Sequence, residues 1–225
     1  TDQIDDWRVP LPVEFSVEAI HTMAKEQLLG LQQLAGWGSE WGTIAIPAAR
    51  LPKGSLRSSS NRICSVNTLC PLGPELELAQ LTLTRYALLL YFVKFKRYSR
   101  YLKAGSITVE LRSIKLVLAD ALTKHPSPTG GLLGRLSDTD WHARRGKTVI
   151  DKVGQVFRRL RWLRDKRWWL DVPIELSFTA VEAHLDAAKN QARASKPRGD
   201  GHQPLPDEFV SQAGWRLIWI LENLG

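Results

Sequence analysis

Apolar residues recur at helical spacing in several stretches of this chain. Val17, Ile20, Ala24, Leu28 and Leu31 follow Ser16, whose hydroxyl suits a helix N-cap, and together they predict a first helix. A long helix is predicted from about Glu75 to Lys103. Its densest run, Tyr86 to Val93, is apolar on all sides and reads as buried core. Gly105 is placed to end that helix in a left-handed conformation, and Ser106 to cap the next. Ile107, Leu111, Ile114, Leu118 and Leu122 then form a stripe, closed by the turn-forming segment 126–134. Val149, Val153, Val156, Leu160 and Leu163 predict a further helix, with Pro173 at its exit. Thr179 and Glu182 fit a capping box before Val181, Leu185, Ala188 and Ala192, and a last helix is predicted to begin near Asp207.

Strand-like alternation is scarce, so the fold class is all-α, a helical bundle with a loop-rich N-terminal region and no sheet larger than a hairpin. Residues 43–74 hold Pro47, Pro52, Pro71 and Pro74 and the run Ser58-Ser59-Ser60, which predicts a long loop with short structured pieces at most. Trp37 and Trp41 lie beside Gly38 and Gly42 and read as a packed lid more readily than a ligand platform. The divisions expected are 1–72, helical and loop-rich; 73–195, the helical core; and 196–225, a linker and the start of a following domain. The chain starts at Thr1 and stops inside an apolar periodic segment, so it is expected to be a fragment.

Charge changes the picture. The chain carries 31 Lys and Arg against 23 Asp and Glu, a net charge of +8, and a pI near 9.7. That balance favours a polyanionic partner. It is concentrated in two stretches. Lys94, Lys96, Arg97, Arg100 and Lys103 are interleaved with Tyr98 and Tyr101. Arg144, Arg145, Lys147, Arg158, Arg159 and Arg161 lie in or before the 149–163 stripe but off its apolar positions. These eleven side chains are the candidate DNA-binding residues. The counter-reading is a solvated basic face without function.

Other chemistry is hard to find. No glycine-rich phosphate loop, nucleophile elbow or metal-ligand cluster occurs. Cys64 and Cys70 have neither zinc spacing nor the number needed for a disulfide scaffold, and suit a reduced cytoplasmic setting. Asp138 and Asp140 beside His142, and Glu182 with Asp186, read as helix-end or solvated acids before they read as metal ligands. No cofactor, metal or membrane partner is expected. No apolar run reaches the length of a membrane span.

The segment Thr82 to Leu122, TLTRYALLLYFVKFKRYSRYLKAGSITVELRSIKLVLADAL, resembles the helical core-binding domain of tyrosine recombinases. In that family a helix with an aromatic-rich core is followed by a turn and a second helix with a Ser/Thr start and an apolar stripe. The matching positions here are Tyr86, Phe92 and Phe95, then Ser106, Ile107, Leu111, Ile114 and Leu118. The tail PLPDEFVSQAGWRLIWILENLG is similar to stretches of large mobile-element integrases upstream of their catalytic region. The resemblance implies the N-terminal, DNA-binding part of an integrase whose catalytic domain is absent. Residues near 75–195 would clamp duplex DNA, with self-association on it. His142-Ala143-Arg144-Arg145 matches the family's His-x-x-Arg pair in form. The nucleophilic Tyr should follow that pair, and Tyr86, Tyr91, Tyr98 and Tyr101 all precede it. No catalytic residue is carried over, and no recombination is expected of this chain alone. Two further function classes fit the composition. One is a helical regulator or RNA-binding protein stacking bases on Tyr98, Tyr101, Trp168 and Trp169. The other is a helical module that docks an acidic protein.

Overall fold

The computed structural model describes residues 8–50, 62–95, 101–124, 131–136, 147–169 and 171, with isolated helical positions at 183, 186, 187, 190, 191 and 194. The chain divides into two compact units, Thr1–Lys189 and Asn190–Gly225. Of the second, Asn190, Gln191 and Ala194 are described, helical and exposed. The predicted capping box at Thr179 and Glu182 and the helix near Asp207 lie outside the described residues.

Among the described residues the first unit is mostly helical, with one two-stranded sheet. The predicted first helix is two elements. Ser16 caps a 3-10 turn, Val17–His21, by accepting a hydrogen bond from the Ala19 amide at 3.2 Å. The Thr22 hydroxyl donates to the Ala19 carbonyl at 3.0 Å and closes that turn. Helix α1, Lys25–Leu34, starts afresh after an extended Ala24, whose amide donates to the Gln27 side chain at 3.1 Å. Two competing start signals thus split one apolar stripe. Ile20, Leu28 and Leu31 are buried as expected, while Met23 takes the inward position instead of Ala24.

The loop-rich region carries a small hairpin. Strand β1, Thr43–Ala45, pairs antiparallel with β2, Ile63–Ser65, placing Ile44 opposite Cys64 on the buried side. Gln32 on α1 holds the turn before it, its amide nitrogen facing the carbonyls of Gly38, Glu40 and Thr43 at 3.2, 3.0 and 2.9 Å. Gly42 has φ +75°, and a Cβ there would strike the side chains of Asn67 and Gln80, so glycine is required twice over. Trp37 is fully buried, its ring edge-on to Tyr91 at 5.0 Å. Trp41 is half-buried, under the Lys25 ammonium.

Helix α2, Pro74–Phe92, begins with Pro at its first position and Glu75 and Glu77 in its first turn, where both suit the helix start. It ends eleven residues before the expected Lys103. Val93 is already extended, with φ −102° and ψ 136°. The buried Arg8 guanidinium donates to the carbonyls of Tyr91 and Leu102, so a long-range partner takes the α2 terminus and ties it to the chain entering the next helix. Helix α3, Ala104–Leu122, follows an extended Lys103. Gly105 lies inside its first turn and is not a left-handed stop. Helix α4, Lys147–Asp165, coincides with the predicted basic helix.

Helices α2, α3 and α4 share one core. Ile107, Leu111, Ile114 and Leu118 of α3 and Val156, Leu160 and Leu163 of α4 are all buried in it, with Phe157 added. From Tyr86 to Val93 every residue is buried. An acid lies within this core: Glu110 is 2% exposed. It accepts a hydrogen bond from the Tyr86 hydroxyl at 3.0 Å and pairs with Arg159 Nε at 2.8 Å, so one carboxylate joins all three helices. Burial and the Glu110 charge push the Tyr86 phenol well above its usual pKa. Cys64 is buried, its thiol donating to the Leu111 carbonyl at 3.2 Å, and burial pushes its pKa up to about 11. Among the described residues no helix is long and apolar enough to cross a membrane.

A second, half-buried carboxyl gives a pH signature. Asp171 accepts from the backbone of Leu133 and Leu132, in the 3-10 turn Leu133–Arg135 and its entry, and lies near Arg85 and Arg135. Arg135 makes a two-pronged pair with Glu75 at 2.6 and 3.0 Å, which holds the Glu75 carboxyl below its usual pKa. Burial outweighs those contacts at Asp171 and raises its pKa to about 6. The folded state then holds this proton more tightly than the unfolded chain does. The carboxyl's contribution is therefore greatest below pH about 4 and falls as pH rises to about 6, by about 2–3 kcal/mol. Urea unfolding between pH 4 and 7 should show that decline, and Asp171→Asn should flatten it. An unchanged slope in the variant would place the linkage elsewhere.

Candidate nucleic-acid interface

Helix α4 has two chemically distinct sides. Val156, Phe157, Leu160 and Leu163 are buried against α2 and α3. Arg158 is exposed, and Arg161 and Arg164 are half-buried. At 100° per residue, Arg158 and Arg161 lie about 60° apart and share one face. Arg158 Nε donates to the Gly154 carbonyl at 3.2 Å, which lays the side chain along the helix. Arg164 pairs with exposed Asp165 at 3.3 Å, a contact that solvent screens.

The helix ends in a defined way. The Arg167 amide donates to the Arg164 carbonyl at 2.8 Å, and the Trp168 amide to the Leu163 carbonyl at 2.9 Å. This is the Schellman arrangement, with Arg167 at the left-handed position, φ 59°. A residue with a Cβ costs about 1–2 kcal/mol in that conformation. The turn sends Trp169 into the core, edge-on to Tyr86 at 6.1 Å. Trp168 packs on Trp162 at 5.2 Å, and its indole nitrogen donates to Glu18 at 2.9 Å. Trp162 packs in turn on Phe95 at 4.8 Å. Phe95 is thereby held against α4, with Lys94 next to it in sequence.

The sequence-predicted residues divide accordingly. Arg158 lies on the outer face of α4, and half-buried Arg161 flanks it one turn on. Lys94 is exposed, its ammonium 5.3 Å from the Tyr101 ring, and Lys103 is exposed at the start of α3. Arg159 departs from expectation. Its side chain is 21% exposed, its Nε pairs with Glu110, and its guanidinium lies over the Phe95 ring at 4.6 Å. That charge belongs to the core. Lys147 is the first residue of α4, and its side chain is outside the described set. Lys96, Arg97, Arg100, Arg144 and Arg145 lie outside the described residues, as do Tyr98 and the His142-Ala143-Arg144-Arg145 segment.

Arg164, Lys166 and Arg167 add further cations at the end of α4 and were not among the sequence candidates; Arg164 is half-buried, and Lys166 and Arg167 are exposed. Their signal was present, since they continue the same basic run past the last apolar stripe position. The base-stacking reading loses Trp169 to the core, and Tyr101 is half-buried between Arg8 and Lys94. Among the described residues no group of three or more His, Cys, Asp and Glu is arranged to hold a metal ion. What this arrangement can do is present several fixed cations to a polyanion. No protein-family model matches the chain, and no curated protein or solved structure matches it.

Proposed function

We propose that this chain binds duplex DNA across the outer face of α4, together with exposed Lys94 and Lys103, as the DNA-binding part of an integrase-like recombinase. The observation that carries the reading is the two-sidedness of α4: its apolar side is sealed into the core while exposed Arg158 lies opposite it and half-buried Arg161 stands on the flank between them. A helix fixed in this way presents guanidiniums on a rigid support. They bind phosphate oxygens with two donors each and release condensed counterions. The recombinase assignment rests on the resemblance of the Thr82 to Leu122 segment. Phosphate contact positions a duplex without reading its sequence, so the affinity expected from this face is largely sequence-independent.

A salt titration tests it. With about six phosphate contacts, log K should fall against log salt with a slope of about −5. Reversing Arg158 and Arg161 to Glu should weaken binding by about two orders of magnitude at 0.1 M salt and make the slope shallower by about 2. Reversal at exposed Arg158 should cost the fold little, and circular dichroism of the double variant checks that half-buried Arg161 tolerates the change. Affinity that ignores salt, or that survives the double reversal in a folded protein, would leave this face as solvated surface.

A further inference from the structure

Arg167 is the single non-glycine residue with positive φ among the described residues. It occupies the position where a helix stop most often takes glycine. Backbone strain of this kind persists where the surroundings over-determine it. Here the two terminal hydrogen bonds and the burial of Trp169 do so. The turn alone does not account for arginine, since glycine would make it without strain. Nor does the negative end of the helix require a further cation, because Arg164 and Lys166 already stand in its last turn and cap. The Arg167 side chain is exposed, beside exposed Lys166.

We propose that Arg167 is a phosphate-contacting residue that carries the binding face of α4 past the end of the helix. The proposal rests on the reading of α4 as a polyanion-binding surface and adds a residue to it. From Arg158 to the helix end at Asp165 is seven residues, about 10 Å along the axis, and Arg167 stands two residues beyond it. In this reading Arg158, Arg161 and Arg167 each meet a phosphate, the last from a left-handed backbone position past the helix end.

The test uses the full chain, a duplex of random sequence and three variants. Arg167→Gly and Arg167→Asn both remove the charge and both suit a left-handed residue; Arg167→Lys keeps the charge. The Gly variant should melt at or above the parent temperature. Both uncharged variants should bind about tenfold more weakly at 0.1 M salt, with a slope shallower by about 0.9. The Lys variant should keep the parent slope. If either uncharged variant folds and binds with parent affinity and slope, while the Arg158/Arg161 reversal abolishes binding, Arg167 is a helix stop and the proposal is overturned. If the Arg158/Arg161 reversal also binds normally, the reading of α4 itself has failed, and the proposal falls with it.

Discussion

Replacing Arg159 by Leu should destabilise the protein by about 3–5 kcal/mol, although sequence position places Arg159 in a surface cluster. Glu110 is 2% exposed and faces Arg159 Nε at 2.8 Å and the Tyr86 hydroxyl at 3.0 Å. Without the guanidinium, the carboxylate must stay charged in an apolar setting or take up a proton, and either lowers stability. The stacking of Arg159 on Phe95 is lost as well. The companion double variant, Glu110→Leu with Arg159→Leu, should recover most of the loss, because an apolar pair of similar volume often replaces a buried ion pair without net cost. Urea unfolding of the parent, both single variants and the double variant would close the cycle. A single-variant loss within about 1 kcal/mol of the parent would mean that solvent screens the pair.

Trp37→Ala should cost a similar amount, about 3–5 kcal/mol, by leaving a cavity where an indole was fully buried. Trp37 lies between α1 and β1, with its ring edge on Tyr91 of α2. Its backbone is part of the same joint, since the Ala45 amide donates to the Trp37 carbonyl at 3.0 Å. The loss should therefore appear as a lower urea midpoint for the whole first unit. Trp37→Phe keeps an aromatic edge for Tyr91 and should cost distinctly less, about 1–2 kcal/mol. Equal losses in the two variants would show that the indole itself, not the filled volume, is what matters.

The apolar patterns carried much of the fold and little of the site. The α3 and α4 stripes were legible because each keeps helical spacing over four turns, and their apolar positions from Ile107 to Leu118 and Val156 to Leu163 are buried as read. The end of α2 was not legible. It depends on Arg8, more than eighty residues away in sequence, taking the Tyr91 carbonyl. A short hairpin within residues 36–74 was allowed for but its strands could not be located, since three-residue strands show no measurable alternation and their partners are distant. At the site, counting charges treated Arg158 and Arg159 as equals. Their roles differ because Arg159 lies at the margin of the α4 stripe, where Glu110 waits on the facing helix. The clue was that Glu110 stands three residues after Ile107, an acid at an apolar stripe position. An acid so placed asks for a cation from whatever helix covers it.

The enclosure of α2 has a kinetic side. From Tyr86 to Val93 every residue is buried, and the hairpin, α1 and α3 all pack on this helix or on its immediate neighbours. Local fraying cannot bring solvent to its second half while these coverings stay in place. Its amide protons should therefore exchange by whole-unit opening alone, and their exchange free energy should equal the unfolding free energy. The outer turns of α4 sit at the periphery and can exchange through smaller fluctuations. Binding at α4 would slow exchange there directly and slow the α2 amides only by the rise in global stability that binding brings, so the two helices report protection of the site and stabilisation of the whole unit separately.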